Sequence, residues 1–425
     1  MKINWINHAG FIIEHNNIVL ACDPWIEGNV FNNSWSLLSK SKFQYSDFEK
    51  VTHIWFSHEH PDHFNPPNLK KIDQEIRKNI IVLYQKTDDK KVIDFISKLN
   101  FKEVIELPPS EWYFLDEKLK ILNQNDRSGD SWLAVNDGYR TLLNMNDVAT
   151  YTTKKELENI HKIVGSIDIL MTQFSYASWA GNKEDSSFRK KLCAQKKEAI
   201  SMQSNVFKPK FTIPFASFVW FCREENFYAN NDANKIEDIL TFIENKTEST
   251  PILLYPGDTW NLSKEIDNTT ALNKYITDRN KIINKDNLIP SQKTPLKDLQ
   301  NLAKKFGKRQ WKHHSNLMLL LKLRKSAKIF IEDLDTFVLF NLHGIKIVNK
   351  NREDADIILN SEHLRYCLEF DWGGDTLNVN GCFQIPQHGD LKKFMNYFYF
   401  SKQINLGKRY NYKTAIQNLI RKYSH

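Results

Sequence analysis

Ser57-His58-Glu59-His60-Pro61-Asp62-His63-Phe64 follows an apolar run at residues 51–56, VTHIWF, and its reading decides the fold. Three histidines and one aspartate fall within six positions at the end of a strand-like segment. Neutral imidazole and carboxylate are the usual ligands of zinc, iron and manganese. A tight loop there can aim His58 and His60 to one side and Asp62 and His63 to the other. Packing gives an apolar strand no reason to end in such a density of polar rings. The cluster therefore reads as a metal-ligand loop rather than as a set of caps for backbone groups.

Working outward, residues 2–6, 10–14 and 18–22 are short strand-like runs, and His15-Asn16-Asn17 joins the last two as a hairpin. Residues 68–78 read as a helix, 80–83 as a strand and 90–99 as an amphipathic helix, with strands at 112–115, 119–123, 132–136 and 141–145. The middle alternates helix and strand: 154–164, 167–174, 185–205, 211–218, 233–245 and 251–255. Such alternation predicts layered α/β packing. The expected organisation is a catalytic domain at 1–260, a polar connector at 261–315 and a smaller α+β domain at 316–425. The last carries helices at 391–399 and 414–423, and its Gly373-Gly374 pair reads as a turn in a small mixed sheet that closes one side of the cleft.

Composition narrows the function classes. The 425 residues are 41% hydrophobic, enough for a full core, and disorder is excluded as the general state. The formal charge of +8 arises from 59 basic and 51 acidic residues scattered along the chain. No long basic block with interleaved aromatics points to nucleic acid. No apolar run reaches the ~18 residues of a membrane span. The five cysteines are widely spaced and odd in number, which argues against a disulfide framework. The start, MKINWINHAG, lacks the basic opening and apolar stretch of a secretory signal. These features predict a cytoplasmic protein with neither a membrane nor a nucleic-acid partner.

HxHxDH after a strand resembles the signature of the metallo-β-lactamase superfamily. The resemblance implies an αββα sandwich with a two-metal site at one edge of its sheets, and His58, His60, Asp62 and His63 as ligands. It also makes Asp62 the catalytic candidate that holds or deprotonates a water. His8-Ala9-Gly10 followed by Asp23-Pro24 is similar to the opening of the lactonase and phospholipase-D-like branches. By that likeness Asp23 orients the metal-loop backbone, and His8 lies near the pocket mouth or serves a turn. The family expects three further ligands: a histidine, a bridging aspartate at a strand end and a final histidine. Asp147, after TLLNMN, fits the bridge, and a shared carboxylate screens two cations from each other. No histidine occurs between His63 and Asp147. The third ligand is therefore a carboxylate from residues 125–132, Asp130 or else Asp126. The final histidine would fall within KFTIPFASF at 210–218, which has none.

LLNMNDV, ILMTQFSYASWAG, FTIPFASF, YPGDTW and DWGGDTLNVNGCF are similar to the metallo-β-lactamase-like domain of CMP-N-acetylneuraminate hydroxylases. Those enzymes also carry a Rieske iron–sulfur domain, which needs CxH and CxxH pairs. No cysteine here is followed by either spacing. The resemblance implies a nonheme di-iron oxygenase acting on a sugar-like or nucleotide-linked small molecule, with a separate electron donor. The alternative is a two-metal hydrolase of a lactone, amide or phosphodiester bond. Two divalent ions are expected, iron favoured by the carboxylate in the third position, with zinc or manganese as alternatives. Ser175 and Tyr176, after a buried strand, and Asp258, in YPGDTW, are further substrate candidates, each with a turn role as its alternative. Arg223-Glu224-Glu225 reads as a solvated charge run at the cleft border.

Overall fold

The computed structural model describes residues 1–126, 129–150, 152–262 and 266–410. Two seven-stranded sheets form its larger part. One runs Thr259–Trp260, Lys2–Asn7, Gly10–His15, Ile18–Cys22, His53–Phe56, Ile81–Gln85, Glu103–Leu107. The other runs Thr250–Pro251, Phe211–Phe215, Ile169–Gln173, Thr141–Asn144, Ser131–Asn136, Lys120–Asn125, Trp112–Phe114. Hairpin-joined strands pair antiparallel and crossover-joined ones parallel, while the edge strand Thr259–Trp260 returns from far along the chain to pair antiparallel with Lys2–Asn7.

Alternation along these strands builds the layers. Trp5, Phe11, Ile13, Leu20, Trp55 and Leu83 of the first sheet share one core with Leu133, Val135, Leu142, Ile169, Met171 and Ile213 of the second. The residues between them face outward. Ile12, Ala21, Ile54, Phe56 and Val82 pack on Leu69, Ile72, Val92 and Ile96 of the flanking helices. Leu122, Ala134, Leu143 and Leu170 pack on Leu157, Ile160 and Phe207. A strand covered on both faces has no polar side, which is why these segments read as continuous apolar runs. The result is the expected α/β sandwich with helices on both outer faces.

The C-terminal part is a second unit with its own core. Its sheet runs Gly344–Ile347, Thr336–Asn341, Ala327–Ile331, Ile357–Leu359, the last pairing parallel. Leu299, Ala303, Phe306, Leu364, Leu377, Phe394 and Phe398 of its helices close over Ile329, Val338 and Phe340. Of the polar stretch 261–315, the helix Asn268–Ile282 gives Ala271 and Tyr275 to the first core, and Leu296–His313 belongs to the second.

Several elements differ from expectation. Residues 68–78 form two short helices, Pro66–Lys71 and Gln74–Arg77, because Asp73 caps the second by accepting the Glu75 N–H. The strand Glu103–Leu107 was not anticipated; its charged, half-exposed EVIEL pattern hides an edge strand. Gly373-Gly374 opens the helix Gly373–Asn380 rather than turning a sheet. A Cβ on Gly373 would lie 2.5 Å from the Tyr366 carbonyl, and one on Gly374 2.4 Å from Phe398 Cβ, so close helix packing requires both glycines. The helix expected at 414–423 lies outside the described residues. Among those described, no helix is long and apolar enough to cross a membrane.

The two units are stitched by polar contacts. Arg223 is not solvated: it is 1% exposed and donates to Glu362 (3.0 Å) and to the carbonyls of Asn32 (3.0 Å) and Pro290 (2.5 Å). Asn226 donates to the Asn380 carbonyl at 2.8 Å, and Trp179 stacks on Phe383 at 5.1 Å. Asn405, at the end of the helix Leu391–Asn405, donates to Glu59 of the histidine loop at 3.1 Å.

Candidate metal centre

The strand His53–Phe56 is buried on both faces and delivers its loop to the end of the sandwich. The His63 and Phe64 N–H groups both return to the His60 carbonyl, at 3.0 and 2.7 Å, so the chain coils on itself. This coil sets His58 beside His60, with Nε2 to Nδ1 at 2.8 Å, and His63 beside Asp62, with Nε2 to Oδ2 at 3.4 Å.

The second sheet brings the remaining carboxylates. Asp130 precedes the strand Ser131–Asn136, and its Oδ1 lies 3.7 Å from His58 Nε2. Gln85 bridges the Ser57 and Gly129 carbonyls (2.8 and 2.6 Å), and the Ser131 hydroxyl donates to Ser57 at 2.6 Å. These bonds fasten the Asp130 loop to the histidine loop. Asp147 follows the strand Thr141–Asn144 and lies between His58 and His63. Its Oδ1 is 3.5 Å from His63 Nε2 and its Oδ2 3.7 Å from His58 Nε2.

Asp23 is fully buried and ties these parts together. Its carboxylate accepts from the Ser57 N–H (2.8 Å), the Ser57 hydroxyl (2.7 Å), Asn146 (3.0 Å) and His63 Nδ1 (2.9 Å). The last bond holds Nδ1 against Asp23 and turns Nε2 toward Asp62 and Asp147, where a bound cation would take the place of its proton. Behind Asp147, Gln173 donates to its Oδ1, and the buried Lys196 donates to Gln173 Oε1 at 2.6 Å. Burial pulls the Lys196 ammonium down to about 8, against the opposing charge of Asp147.

The electrostatics suit cation ligands. Burial, then the neighbouring His63 and His60, pulls His58 down to about 3, so it stays neutral. Burial pushes Asp62 and Asp147 up, but the positive charge of the adjacent protonated His63 outweighs it, and both carboxyls are held below their usual range. His63 Nε2 and Asp62 Oδ1 are buried without a hydrogen-bond partner. Two ligands about 2.1 Å from one ion at a tetrahedral angle lie about 3.4 Å apart. The 3.4–3.7 Å separations at the carboxylates are of that size. The residues present therefore fit two cations. One position lies among His58, His60 and Asp130, the other beside Asp62 and His63, with Asp147 between.

Of the remaining candidates, His8 meets the centre and the others serve loops and turns. Asp126 shapes the loop by accepting the Gly129 and Asp130 N–H groups at 3.0 and 3.2 Å. Ser175 accepts the Asn234 N–H at 3.1 Å, and the buried Tyr176 hydroxyl donates to the Ala229 carbonyl. Asp258 accepts the Tyr255 N–H at 2.9 Å, in the turn beside the edge strand Thr259–Trp260. The structure thus spends Ser175, Tyr176 and Asp258 on loop and turn geometry rather than bringing them to the centre. His8 is not at a pocket mouth: it is 2% exposed, and its Nε2 lies 3.4 Å from Asp62 Oδ2.

Gln173 and Lys196 escaped the sequence reading, although both left a signal. Gln173 ends the wholly buried strand ILMTQ. Lys196 sits in a helical stripe, Arg189, Cys193, Lys196, Ile200, Gln203, Phe207, whose spacing of three and four marks a buried face.

Residues 2–195 match the family model of the beta-lactamase superfamily domain. A Mycobacterium tuberculosis protein that carries the name Rieske 2Fe-2S iron-sulfur protein is 26% identical over 281 residues, 61% of this chain and 53% of its own. Cytidine monophosphate-N-acetylneuraminic acid hydroxylase of Xenopus laevis is 21% identical over 238 residues, 51% of this chain and 38% of its own. The chain thus spans about half or less of the length of these curated relatives. Among solved structures, the diiron β-hydroxylase CmlA of Streptomyces venezuelae aligns with a TM-score of 0.44 at 14% identity, over 61% of this chain and 53% of that one. The sandwich, the HxHxDH loop at its edge and the match over residues 2–195 lead to one conclusion: this N-terminal region belongs to the beta-lactamase superfamily.

Proposed function

We propose that the chain is a dinuclear-metal enzyme, a nonheme di-iron oxygenase that hydroxylates a sugar-like or nucleotide-linked small molecule. In this reading one ion is held by His58, His60 and Asp130 and the other by Asp62 and His63, with Asp147 shared. The observation that carries the proposal is the carboxylate of Asp130 beside His58 and His60. With Asp62 and Asp147 it makes three carboxylates in one centre, and hard oxygen ligands favour iron over zinc. The similarity to proteins named hydroxylases supports the same class.

A bound iron pair would supply oxygen activation; the chain supplies position and protons. Asp23 keeps His63 in one tautomer, and the buried His58 stays neutral for ligation. Asp62 is held as a carboxylate and serves to hold or deprotonate a water. Asp130 and Asp147 are 21% and 19% exposed at their side chains, against 3% and 0% for His58 and His63. The substrate therefore approaches from the Asp130–Asp147 side. Hydroxylation with dioxygen consumes two electrons, which a separate protein donor delivers in this proposal.

The test loads metal-free protein anaerobically with iron(II) or with zinc, then supplies oxygen, a chemical reductant and a cytidine-monophosphate-linked sugar. The expected result is two iron ions per chain and oxygen uptake matched by hydroxylated product. Zinc-loaded protein that cleaves lactones or phosphodiesters, with an iron form that takes up no oxygen, would establish the hydrolase instead.

A further inference from the structure

The Asp62–His63 half of the centre has fewer ligands than its partner, and the strand Phe211–Phe215 and its loop bring it none. Ala216, in that loop, has no metal-ligating atom on its side chain. The hydroxyl of Ser217 already accepts the N–H groups of Phe174 and Ser175, at 3.2 and 3.1 Å. Instead the Ala216 N–H donates to the backbone carbonyl of His8 at 3.1 Å. That loop thus braces His8 rather than reaching the centre itself.

We propose that His8 Nε2 is the missing ligand, so that the turn between the first two strands completes the second cation site. This rests on the two-cation reading above and holds for an oxygenase and a hydrolase alike. His8, Asp62 and His63 each present an atom within 4.8 Å of the others, and all three residues are buried. The His8 ring is walled edge-on by Trp25 at 5.6 Å and by His63 at 6.0 Å. Its backbone is held as firmly: the His8 N–H donates to Asn7 Oδ1 at 3.0 Å, and Asn7 Nδ2 donates to the Ser39 carbonyl at 2.7 Å.

Backbone strain gathers at the same place. His8, Asp23, Asn146 and Ala216 all have left-handed conformations, with φ of 40°, 42°, 47° and 46°. Such conformations are costly in a residue with a side chain and persist where the surroundings over-determine the geometry. Gly10 is needed for the same turn, because a Cβ there would meet the Asp23 carbonyl at 3.1 Å and the Asn7 carbonyl at 3.2 Å. The HAG motif thus reads as a device that folds a ligand back under the first sheet.

The rival role for His8 is a hydrogen bond to Asp62 that merely positions it. Asparagine can donate that bond but is a poor substitute for imidazole on a transition metal. The experiment titrates metal-free wild type, His8→Ala and His8→Asn with cobalt(II), reading stoichiometry from elemental analysis and visible absorption. Circular dichroism verifies the fold of each variant. The expected result is two cobalt ions in wild type and one tightly bound ion in both variants, with loss of one set of ligand-field bands. Two tightly bound ions in folded His8→Asn would overturn the ligand role while leaving the two-cation reading intact. A wild type that takes only one ion would overturn both. If His8→Ala fails to fold, His8→Asn alone decides the question.

Discussion

At the scale of single residues, Asp130 has the clearest consequence. Among the described residues, its carboxylate is one of three side chains grouped at the first cation position beside the shared Asp147. Asp130→Ala is expected to lose one ion per chain. Asp130→His should keep two but shift the preference toward zinc, as a softer nitrogen replaces a hard oxygen. Elemental analysis after growth with equal iron and zinc checks both; unchanged metal content in Asp130→Ala would remove the carboxylate argument for iron. The residues behind the ligands matter nearly as much. Asp23→Asn should weaken metal binding about 10–100-fold, because the bond that fixes the His63 tautomer is lost. Lys196→Met should do the same more mildly, by freeing Gln173 from its hold on Asp147; competition with a chelator measures both, and wild-type affinity in Asp23→Asn would show that His63 is oriented by its packing alone.

At the scale of elements, close approach rather than propensity sets several contacts. The helix Leu296–His313 lies so near the hairpin of Thr336–Asn341 and Gly344–Ile347 that a Cβ on Gly307 would fall 1.9 Å from the Leu342 carbonyl. Gly307→Ala therefore forces the helix off the hairpin, and overpacking of this kind costs about 1–3 kcal/mol. The loss should appear in denaturant unfolding of the C-terminal unit while metal stoichiometry is unchanged. Neither the helix pattern nor composition announces this glycine, since the approaching carbonyl comes from a segment 35 positions away in sequence (342 − 307).

At the scale of the whole molecule, the seam between the two units buries charged groups beside its apolar contacts. Arg223 and Glu362 are buried together, so Arg223→Ala leaves a carboxylate unpaired and should destabilise the protein by about 3–5 kcal/mol. Glu225 adds a pH dependence. Burial pushes it up, but the His363 contact and the Ser291 hydroxyl outweigh that and pull it down to about 2. A carboxyl depressed on folding contributes stability above its unfolded pKa of about 4.3, and that contribution fades as pH falls toward about 2. Acid should therefore loosen the seam between about pH 4 and pH 2, by on the order of 2–3 kcal/mol. Glu225→Gln should flatten that part of the stability profile; an unaltered profile would place the acid sensitivity elsewhere.

Much of this molecule could be read from residue order. The alternation of strand and helix segments pointed to the layered architecture, whereas strands buried on both faces gave no sign of which face meets the other sheet. That His58, His60, Asp62 and His63 would gather was legible because they are local in sequence and share one turn, and that Asp147 would reach the sheet end because it follows an apolar strand. Other assignments waited for the tertiary structure. Asp130 and Asp126 are equivalent by composition, and only the register of the second sheet turns one toward His58 and the other into its own loop. His8 lies about 50 residues from the loop it meets, and its place under the first sheet depends on the Ala216 bond, the Gly10 approach and the Trp25 wall. Tyr176 reads as a substrate or turn residue and Arg223 as part of a solvated run, yet packing between elements distant in sequence buries both. The physical reason is the same throughout: periodicity reports which face of an element is buried, whereas the identity of what covers that face is fixed by contacts that close long loops.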